Sequence, residues 1–304
     1  MQFVVSVHQR HPFDPQFLSG EFITDFARAA EAAGFGGIYW TEHPIPSDDW
    51  LASGGHDAPD PFVALAFAAA VTSTLKLVTN LTVVPYRNPF MLAKTAATLD
   101  RVSNGRLILG TGTGYLEGEY EALGVPLDDR NARFDEALDV LRMAWTGQSV
   151  KYSSPRFTAA GNTSVPTPVQ DPVPIWIGGN SKLTLRRVAE KAQGWMPLPN
   201  PRSMGNRRRS AHLETLDDLR SLLAYLHDQR ARFGRTDPLD IAYVALEGGI
   251  LGTPSFDATA FIRGVESVAE FGVTWIVLSV VAANHSAAVD AVSDFGARVI
   301  AQMR

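Results

Sequence analysis

The chain has 304 residues, of which 45% are hydrophobic and 19% charged, so it can bury a large core and is not expected to be disordered. Its 27 basic and 32 acidic side chains give a net charge of -5, which argues against an extended surface for nucleic acid or anionic membranes. The one basic cluster, three arginines at 207–209, is expected to be a solvated loop. The absence of cysteine excludes disulfides, thiolate metal sites and cysteine nucleophiles.

The amino-terminal segment has no basic region followed by a long apolar run, as a secretory signal peptide would have. No stretch of about 18 apolar residues, the length that crosses a bilayer, occurs anywhere in the sequence. We therefore expect a cytoplasmic protein that partners with neither membrane nor nucleic acid.

Short apolar segments of strand type alternate with longer segments of helical periodicity along the whole chain. The predicted strands cover residues 3–7, 37–41, 76–84, 106–109, 174–178, 194–197, 241–246 and 275–281. The predicted helices cover residues 21–33, 62–73, 89–99, 134–145, 182–193, 213–233, 257–271 and 286–303. Residues 148–173, rich in proline, serine and threonine, interrupt this alternation and predict an excursion that could contain a hairpin. Eight strand–helix units favour an α/β fold, a closed (β/α)8 TIM barrel with insertions, as a single domain over residues 1–304.

In such a barrel the functional groups lie in the loops that follow the strands. Glu42 and His43 directly follow the second strand, where a carboxylate and an imidazole can position a ring, carry a proton or bind a metal. The alternative is a histidine that caps a helix or satisfies a carbonyl; the position at a strand end favours the functional interpretation. No metal site is expected, because no further histidine or carboxylate stands nearby at a ligand spacing. Weaker candidates near strand ends, each more simply explained as structural, are His8, Trp50, His56, Glu247 and Ser279.

The third predicted strand contains Asn80, Leu81 and Thr82, in which a polar asparagine interrupts an otherwise apolar, β-branched run. Such an interruption can mark a bulge, which turns backbone groups towards a site. An asparagine whose hydrogen bonds are satisfied inside the barrel explains the sequence equally well.

Two glycine-containing segments follow the fourth and fifth strands. The first segment consists of Thr111, Gly112, Thr113 and Gly114. Its glycines would let the backbone approach a ligand, and its threonines would offer hydroxyl donors to a phosphate. A flexible turn is the alternative, because it has the same composition. The dinucleotide-binding fingerprint is not met, because Tyr115 and Glu117 stand where its last glycine is required.

The second glycine segment is Gly178, Gly179, Asn180 and Ser181, which precedes the fifth predicted helix. The unpaired amides at a helix amino terminus bind anions, so this segment predicts a phosphate cradle. A plain helix cap after two turn glycines is the alternative.

Four segments, in this order, resemble the bacterial luciferase-like monooxygenase and reductase superfamily: GFGGIYWTEH (34–43), LVTNLTVVPYRNP (77–89), GRLILGTGTGY (105–115) and PIWIGGNS (174–181). The resemblance rests on motifs over about residues 1–200 and on barrel topology over the remainder. Within the superfamily the chain looks most similar to the branch that uses the deazaflavin coenzyme F420. The resemblance implies that the ring of the cofactor lies at the carboxyl ends of the strands.

The resemblance also implies roles for particular residues. His43 and Glu42 match the catalytic pair beside the ring, with His43 as proton donor or acceptor and Glu42 orienting it or contacting the ring. Family members often have a non-proline cis peptide where Asn80 and Leu81 stand. The implied cofactor-binding set is Asn80, Leu81, Thr82, Thr111, Gly112, Thr113, Gly114, Gly178, Gly179, Asn180 and Ser181, with no metal ligand.

The implied function is hydride transfer between coenzyme F420 and an unidentified small organic substrate. An FMN-dependent monooxygenase and a non-catalytic barrel that binds a cofactor are the alternatives, followed by a sugar-phosphate barrel without redox chemistry. Tyr115 departs from the pattern, since some deazaflavin dehydrogenases carry a catalytic glutamate there, and this leaves the acid unassigned. The excursion at 148–173 matches an insertion over the barrel mouth that would help form the substrate pocket. Homodimers are common in the family, so we expect a homodimer.

Overall fold

A computed structural model of the chain describes residues 1–204 and 210–303, so the three arginines predicted to form a solvated loop lie outside the described residues. The strands are β1 (Gln2–Val7), β2 (Gly37–Trp40), β3 (Lys76–Thr79), β4 (Thr82–Val83), β5 (Leu107–Gly112), β6 (Val150–Ser153), β7 (Thr158–Asn162), β8 (Ile175–Gly178), β9 (Gly194–Met196), β10 (Asp240–Tyr243) and β11 (Trp275–Val280). The helices are α1 (Gly20–Ala33), α2 (Asp48–Ala52), α3 (Pro61–Val71), α4 (Pro89–Val102), α5 (Glu117–Ala122), α6 (Arg130–Trp145), α7 (Lys182–Lys191), α8 (Leu216–Arg232), α9 (Ala258–Ala269) and α10 (His285–Arg298).

The main sheet closes on itself. Parallel strands follow the order β3, β2, β1, β11, β10, β9, β8 and β5, and β5 pairs back with β3 through Leu77 opposite Leu107. The predicted (β/α)8 barrel is therefore confirmed. In the part of the chain that the structure describes, no helix has both the length and the apolar character needed to cross a membrane.

The lower half of the barrel interior is filled by side chains. Trp176 and Trp275, near the amino ends of β8 and β11, pack edge to face with their ring centroids 5.3 Å apart. Asp240, at the start of β10, accepts a hydrogen bond from the indole Nε1 of Trp275 at 3.2 Å. Because this end is packed, the space for a ligand lies at the carboxyl ends of the strands, as in other barrels of this kind.

The third predicted strand is interrupted where the sequence suggested. It forms β3 and β4, separated by Asn80 and Leu81, and the peptide bond between these two residues is cis. The cis peptide implied by the family resemblance is confirmed, and of the two interpretations of Asn80 the interruption of the strand is the one observed.

The fourth predicted strand, 106–109, was too short. β5 continues to Gly112, so Gly110, Thr111 and Gly112 belong to the barrel wall and not to the loop that was expected there. The physical reason is close approach: a Cβ built on Gly110 would lie 1.9 Å from the carbonyl oxygen of Thr79. Here glycine allows two strands to meet and does not mark the end of one.

The predicted excursion contains the antiparallel hairpin of β6 and β7, and none of its residues lines the cavity at the carboxyl ends of the strands. Its second half runs along α4, where the buried carboxylate of Asp100 accepts hydrogen bonds from the amides of Val169 at 2.7 Å and Gln170 at 3.0 Å. Arg101 binds the carbonyl oxygen of Thr167 in the same segment. These contacts hold the excursion against the side of the barrel, so the expected contribution to the substrate pocket was wrong.

Among the other boundaries that differ from the prediction are the end of β10 and the start of α8. β10 ends at Tyr243 rather than at residue 246, so Glu247 does not end a strand; it is exposed and lies 3.8 Å from Arg263. α8 begins at Leu216 rather than at 213, because Thr215 and Asp218 form a capping box. The Thr215 hydroxyl accepts from the Asp218 amide, and the Asp218 carboxylate accepts from the amides of Glu214 and Thr215.

We expect the capping box to contribute stability that depends on pH. Its backbone hydrogen bonds lower the pKa of Asp218 from 3.8 to about 2, so its stabilisation is present above pH 3.8 and is lost as the pH falls through about 2. Asp218→Ala should lower the free energy of unfolding by about 1 kcal/mol at pH 7 in urea titrations. The matched control is Asp217→Ala, an exposed neighbour, which should cost less. A deficit for Asp218→Ala that stayed constant down to pH 2 would contradict this account.

Candidate active site

A cavity of about 590 Å³ opens at the carboxyl ends of the strands, within the range of about 300–1,000 Å³ typical of small-molecule sites. Its walls come from the segments after β2, β3, β5, β8, β9 and β10. The predicted residues that line it are Glu42, His43, Asn80, Leu81, Gly112, Thr113, Gly114, Gly178, Gly179 and Ser181. The fold therefore brings the four separate motifs to one place.

Three predicted site residues, Thr82, Thr111 and Asn180, lie behind the cavity wall instead of lining it. The Thr111 hydroxyl donates to the carbonyl oxygen of Trp176 at 2.8 Å and so joins β5 to β8. The Asn180 amide group bonds to both the backbone N–H and the carbonyl of Leu198, which holds the loop after β9 in position. The side chains of Thr111 and Asn180 therefore bind other parts of the protein, whereas the buried Thr82 hydroxyl has no hydrogen-bond partner among the described residues.

The floor of the cavity is the side chain of Leu81. A Cβ added to Gly112 would lie 2.6 Å from Leu81 Cδ1, and one added to Gly178 would lie 2.4 Å from Leu81 Cδ2. The two glycines therefore provide the space in which Leu81 lies across β5 and β8. The Leu81 side chain is therefore an apolar part of the cavity lining among polar residues.

One wall ends in a polar corner at the amino terminus of α7. The Ser181 hydroxyl caps the helix by accepting a hydrogen bond from the backbone N–H of Thr184 at 3.1 Å. The backbone N–H of Asn180 donates to the Ser210 hydroxyl at 3.1 Å. Gly179 adopts a φ of 112° in the turn, which favours glycine. Hydroxyls and the first amides of a helix suit an anion such as a phosphate.

Glu42 is buried and its hydrogen bonds are used by the protein itself. One carboxylate oxygen accepts from the Val83 amide at 2.7 Å, and the other pairs with Arg87, which also lies 3.3 Å from Asp60. Burial raises the pKa of Glu42 and the charge of Arg87 opposes that rise. The prediction that Glu42 orients His43 is not supported by these hydrogen bonds, which run to β4 and to Arg87.

His43 instead faces a carboxylate from another loop. Its Nδ1 lies 3.3 Å from Oε1 of Glu119, a residue of α5 that is fully buried. The other oxygen of Glu119 accepts a hydrogen bond from the Tyr86 hydroxyl at 2.8 Å. The rings of Trp50 and His56 pack on His43, with centroids 4.7 Å and 4.9 Å away. Two of the weaker sequence candidates therefore contribute to the site.

Glu119 and Tyr86 were missed by the sequence analysis. α5 spans only six residues, too few for its periodicity to be noticed. The signal available in the sequence was Glu119 itself, which stands between Gly118 and Tyr120 in the segment YLEGEYEAL, four residues after Tyr115. Burial, together with the charge of Glu119, raises the pKa of Tyr86, so this hydroxyl stays protonated as a donor.

The chain matches the family model described as luciferase-like monooxygenase over residues 1–246. It belongs to this family. The relatives include a Mycobacterium tuberculosis protein without an assigned role, 30% identical over 251 residues that cover 77% of this chain and 82% of the relative. They also include the F420-dependent glucose-6-phosphate dehydrogenase of Microbacterium testaceum, 30% identical over 185 residues that cover 60% of this chain and 53% of that enzyme.

Solved structures share the fold of this luciferase-like chain. A monooxygenase from Streptomyces bottropensis superposes with a TM-score of 0.80 at 21% identity, over the full length of both chains. The coenzyme F420-dependent tetrahydromethanopterin reductase from Methanopyrus kandleri superposes with a TM-score of 0.72 at 16% identity, over 100% of this chain and 99% of the reductase. At these identities the likeness shows the shared barrel alone. Within residues 1–204 and 210–303, no three histidine or carboxylate side chains converge as a metal site.

In this luciferase-like barrel we expect Arg87→Met to lower the free energy of unfolding by about 3–5 kcal/mol, because it leaves a buried carboxylate without its cation. Since burial raises the pKa of Glu42 above 4.5, the unpaired charge is unfavourable above that pH, and the deficit should shrink as the pH falls from 8 to 5. Urea titrations of Arg87→Met, Glu42→Gln and the double variant form a thermodynamic cycle. Strictly additive costs would show that the two side chains are not coupled.

Proposed function

We propose that the chain is an oxidoreductase that transfers a hydride between coenzyme F420 and a small organic substrate. One observation carries the proposal: the imidazole of His43, backed by buried Glu119, opens onto the same cavity as the apolar floor of Leu81 and the polar corner at Ser181. Such a cavity suits a planar ring with a phosphate-bearing tail and a neighbouring proton donor. An F420-dependent dehydrogenase among the sequence relatives supports deazaflavin as the ring.

The residues present fit this cofactor. The planar ring of the cofactor would rest on Leu81, whose position requires glycines at 112 and 178. The phosphate of the cofactor would bind at Gly179, Ser181 and Ser210. When bound, the deazaflavin would supply the hydride chemistry, and the protein would supply binding and orientation.

The chain's own residues would position the reactants and move the proton. His43 would hold or release a proton towards the substrate, a role that contributes about 10²–10⁴-fold to rates in other enzymes. Packing by Trp50 and His56 restricts the rotation of the imidazole and excludes water from one of its sides. The substrate would bind above Leu81, between His43 and the loop that contains Tyr115.

An FMN-dependent monooxygenase is the second candidate. The observation that favours it is the match over residues 1–246 to the family model described as luciferase-like monooxygenase. The floor and the polar corner fit a flavin ring and its phosphate as well as they fit a deazaflavin.

The decisive measurement is titration of the cofactor-free protein with coenzyme F420 and, separately, with FMN, followed by fluorescence. We expect saturable binding of F420 and binding of FMN at least tenfold weaker, a difference of about 1.4 kcal/mol. Tight binding of FMN without binding of F420 would overturn the proposal in favour of the monooxygenase.

A matched pair of variants shows whether the ligand occupies this cavity. Gly178→Val places a Cβ within 2.4 Å of Leu81 and should displace the floor, weakening F420 binding at least tenfold, or about 1.4 kcal/mol. Gly124→Ala is the control: its φ of 67° makes the substitution strained, but its added Cβ meets nothing within 4 Å. Equal binding by both variants would place the ligand elsewhere.

We also propose that the chain forms a homodimer through the outer face of α3 and α4. α3 has no charged residue, and Val63 and Phe67 on its outer side are 62% and 50% exposed. On α4, Met91 and Val102 are 66% and 67% exposed, and a groove of about 660 Å³ runs between the helices. This face is largely apolar, with Lys94 as the charged residue among those that line the groove. A face with both a groove and protruding apolar side chains can pair with its own copy, as a two-fold interface requires.

Light scattering on the purified protein tests this proposal. We expect the wild-type chain to have the mass of a dimer and Phe67→Asp to have that of a monomer, because a carboxylate would be buried at the centre of the face. Ile250→Asp, at a residue that is 54% exposed on another part of the surface, should remain dimeric. A monomeric wild type, or a dimeric Phe67→Asp, would contradict the proposed interface.

A further inference from the structure

The carboxylate of Glu119 is buried with one oxygen unused. Neither Oε1 of Glu119 nor Nδ1 of His43 has a hydrogen-bond partner among the described residues, and both atoms are buried. The two atoms lie 3.3 Å apart, so a small rotation of the imidazole would align an Nδ1–H with the carboxylate. A buried carboxylate without enough donors is costly, and an Nδ1–H is the donor that Glu119 lacks.

The surroundings fix the position of this carboxylate. The Tyr86 hydroxyl holds its other oxygen, and the rings of Tyr86 and Tyr120 pack edge to face at 4.7 Å. Tyr120, the next residue on α5, donates from its hydroxyl to the carbonyl oxygen of Thr113. α5 is thereby attached both to the loop after β5 and to the segment after β4, so Glu119 meets the His43 ring in a defined place.

We propose that Glu119 is the positioning residue for His43: it holds the imidazole in the tautomer with the proton on Nδ1, which leaves Nε2 as the nitrogen available to a bound molecule. A neutral histidine carries one ring proton, and the hydrogen bond at one nitrogen decides what the other can do. The role of Nε2 in turnover rests on the proposed function, whereas the tautomer is a property of the protein alone.

Other groups near the pair do not supply this contact. Glu42, adjacent to His43 in sequence, has its oxygens engaged by Val83 and Arg87. His56 packs against the ring of His43, and its Nδ1 contacts the carbonyl oxygen of Asp57. Among the described residues, Glu119 is thus the carboxylate placed to bind Nδ1.

The test is ¹⁵N NMR of the cofactor-free protein labelled at histidine, in which protonated and unprotonated ring nitrogens resonate at well-separated frequencies. The sequence has seven histidines, and the signals of His43 are those lost in His43→Gln. We expect the wild type to show His43 as Nδ1–H. Glu119→Gln should shift it to Nε2–H or to a mixture, because an amide can donate to Nδ1. Glu119→Asp, which keeps the charge, should preserve Nδ1–H, and Glu121→Gln, at an exposed residue of the same helix, should change nothing.

A wild-type His43 in the Nε2–H form, or one whose signals are the same in Glu119→Gln, would overturn the inference. If the Glu119→Gln variant does not fold, the ring protonation seen in the wild-type spectrum is sufficient to support or reject the inference. No cofactor is present, so an Nδ1–H form in a protein that fails to bind F420 would reject the proposed function and keep the inference. If F420 turnover is established, Glu119→Gln should lower kcat by about 10²-fold or more with little change in F420 affinity, since a wrongly protonated base loses its contribution to the rate.

Discussion

The packing of Leu81 against Gly112 and Gly178 is the contact on which the cavity depends. At the carboxyl end of the barrel, β4, β5 and β8 approach so closely that a side chain on either glycine would meet Leu81 within 3 Å. Gly110, two residues earlier on β5, allows a similarly close approach of that strand to the backbone carbonyl of Thr79. With Gly112 and Gly178 open, Leu81 lies across β5 and β8 and forms an apolar floor among the polar groups of the neighbouring loops. The glycine motifs that suggest ligand binding therefore act first on the protein itself.

Two carboxylates near the cavity have different tasks because their surroundings differ. Glu42 accepts hydrogen bonds from Arg87 and from the backbone amide of Val83, and so connects the loop after β2 to β4. Glu119 has a single neutral donor, Tyr86, and its remaining oxygen faces His43. A carboxylate paired with arginine contributes to stability, whereas one that faces an imidazole can control where that imidazole carries its proton. Adjacency in sequence pointed to the first carboxylate, and contact in space points to the second.

The agreement between prediction and structure follows the range of the interactions involved. Strand and helix periodicity depends on burial of one face or of a whole segment, and it located the barrel elements well. The polar interruption at Asn80 and the helix cap at Ser181 are local features, and both were readable. The end of β5 was misjudged because glycine, which usually marks a turn, here permits a close strand contact. The excursion at 148–173 was placed over the mouth, whereas Asp100 and Arg101 attach it to α4.

The sequence by itself determined the barrel, the order of its elements and the motifs that converge at one end, because these depend on patterns within segments of a few to twenty residues. It also carried enough of those motifs to indicate the luciferase-like family, which the match over residues 1–246 confirms. Only the tertiary structure decided that Thr82, Thr111 and Asn180 face away from the cavity and that Glu119 meets His43. These facts depend on how distant segments pack, and a contact between side chains far apart in sequence leaves no trace in the periodicity of either segment.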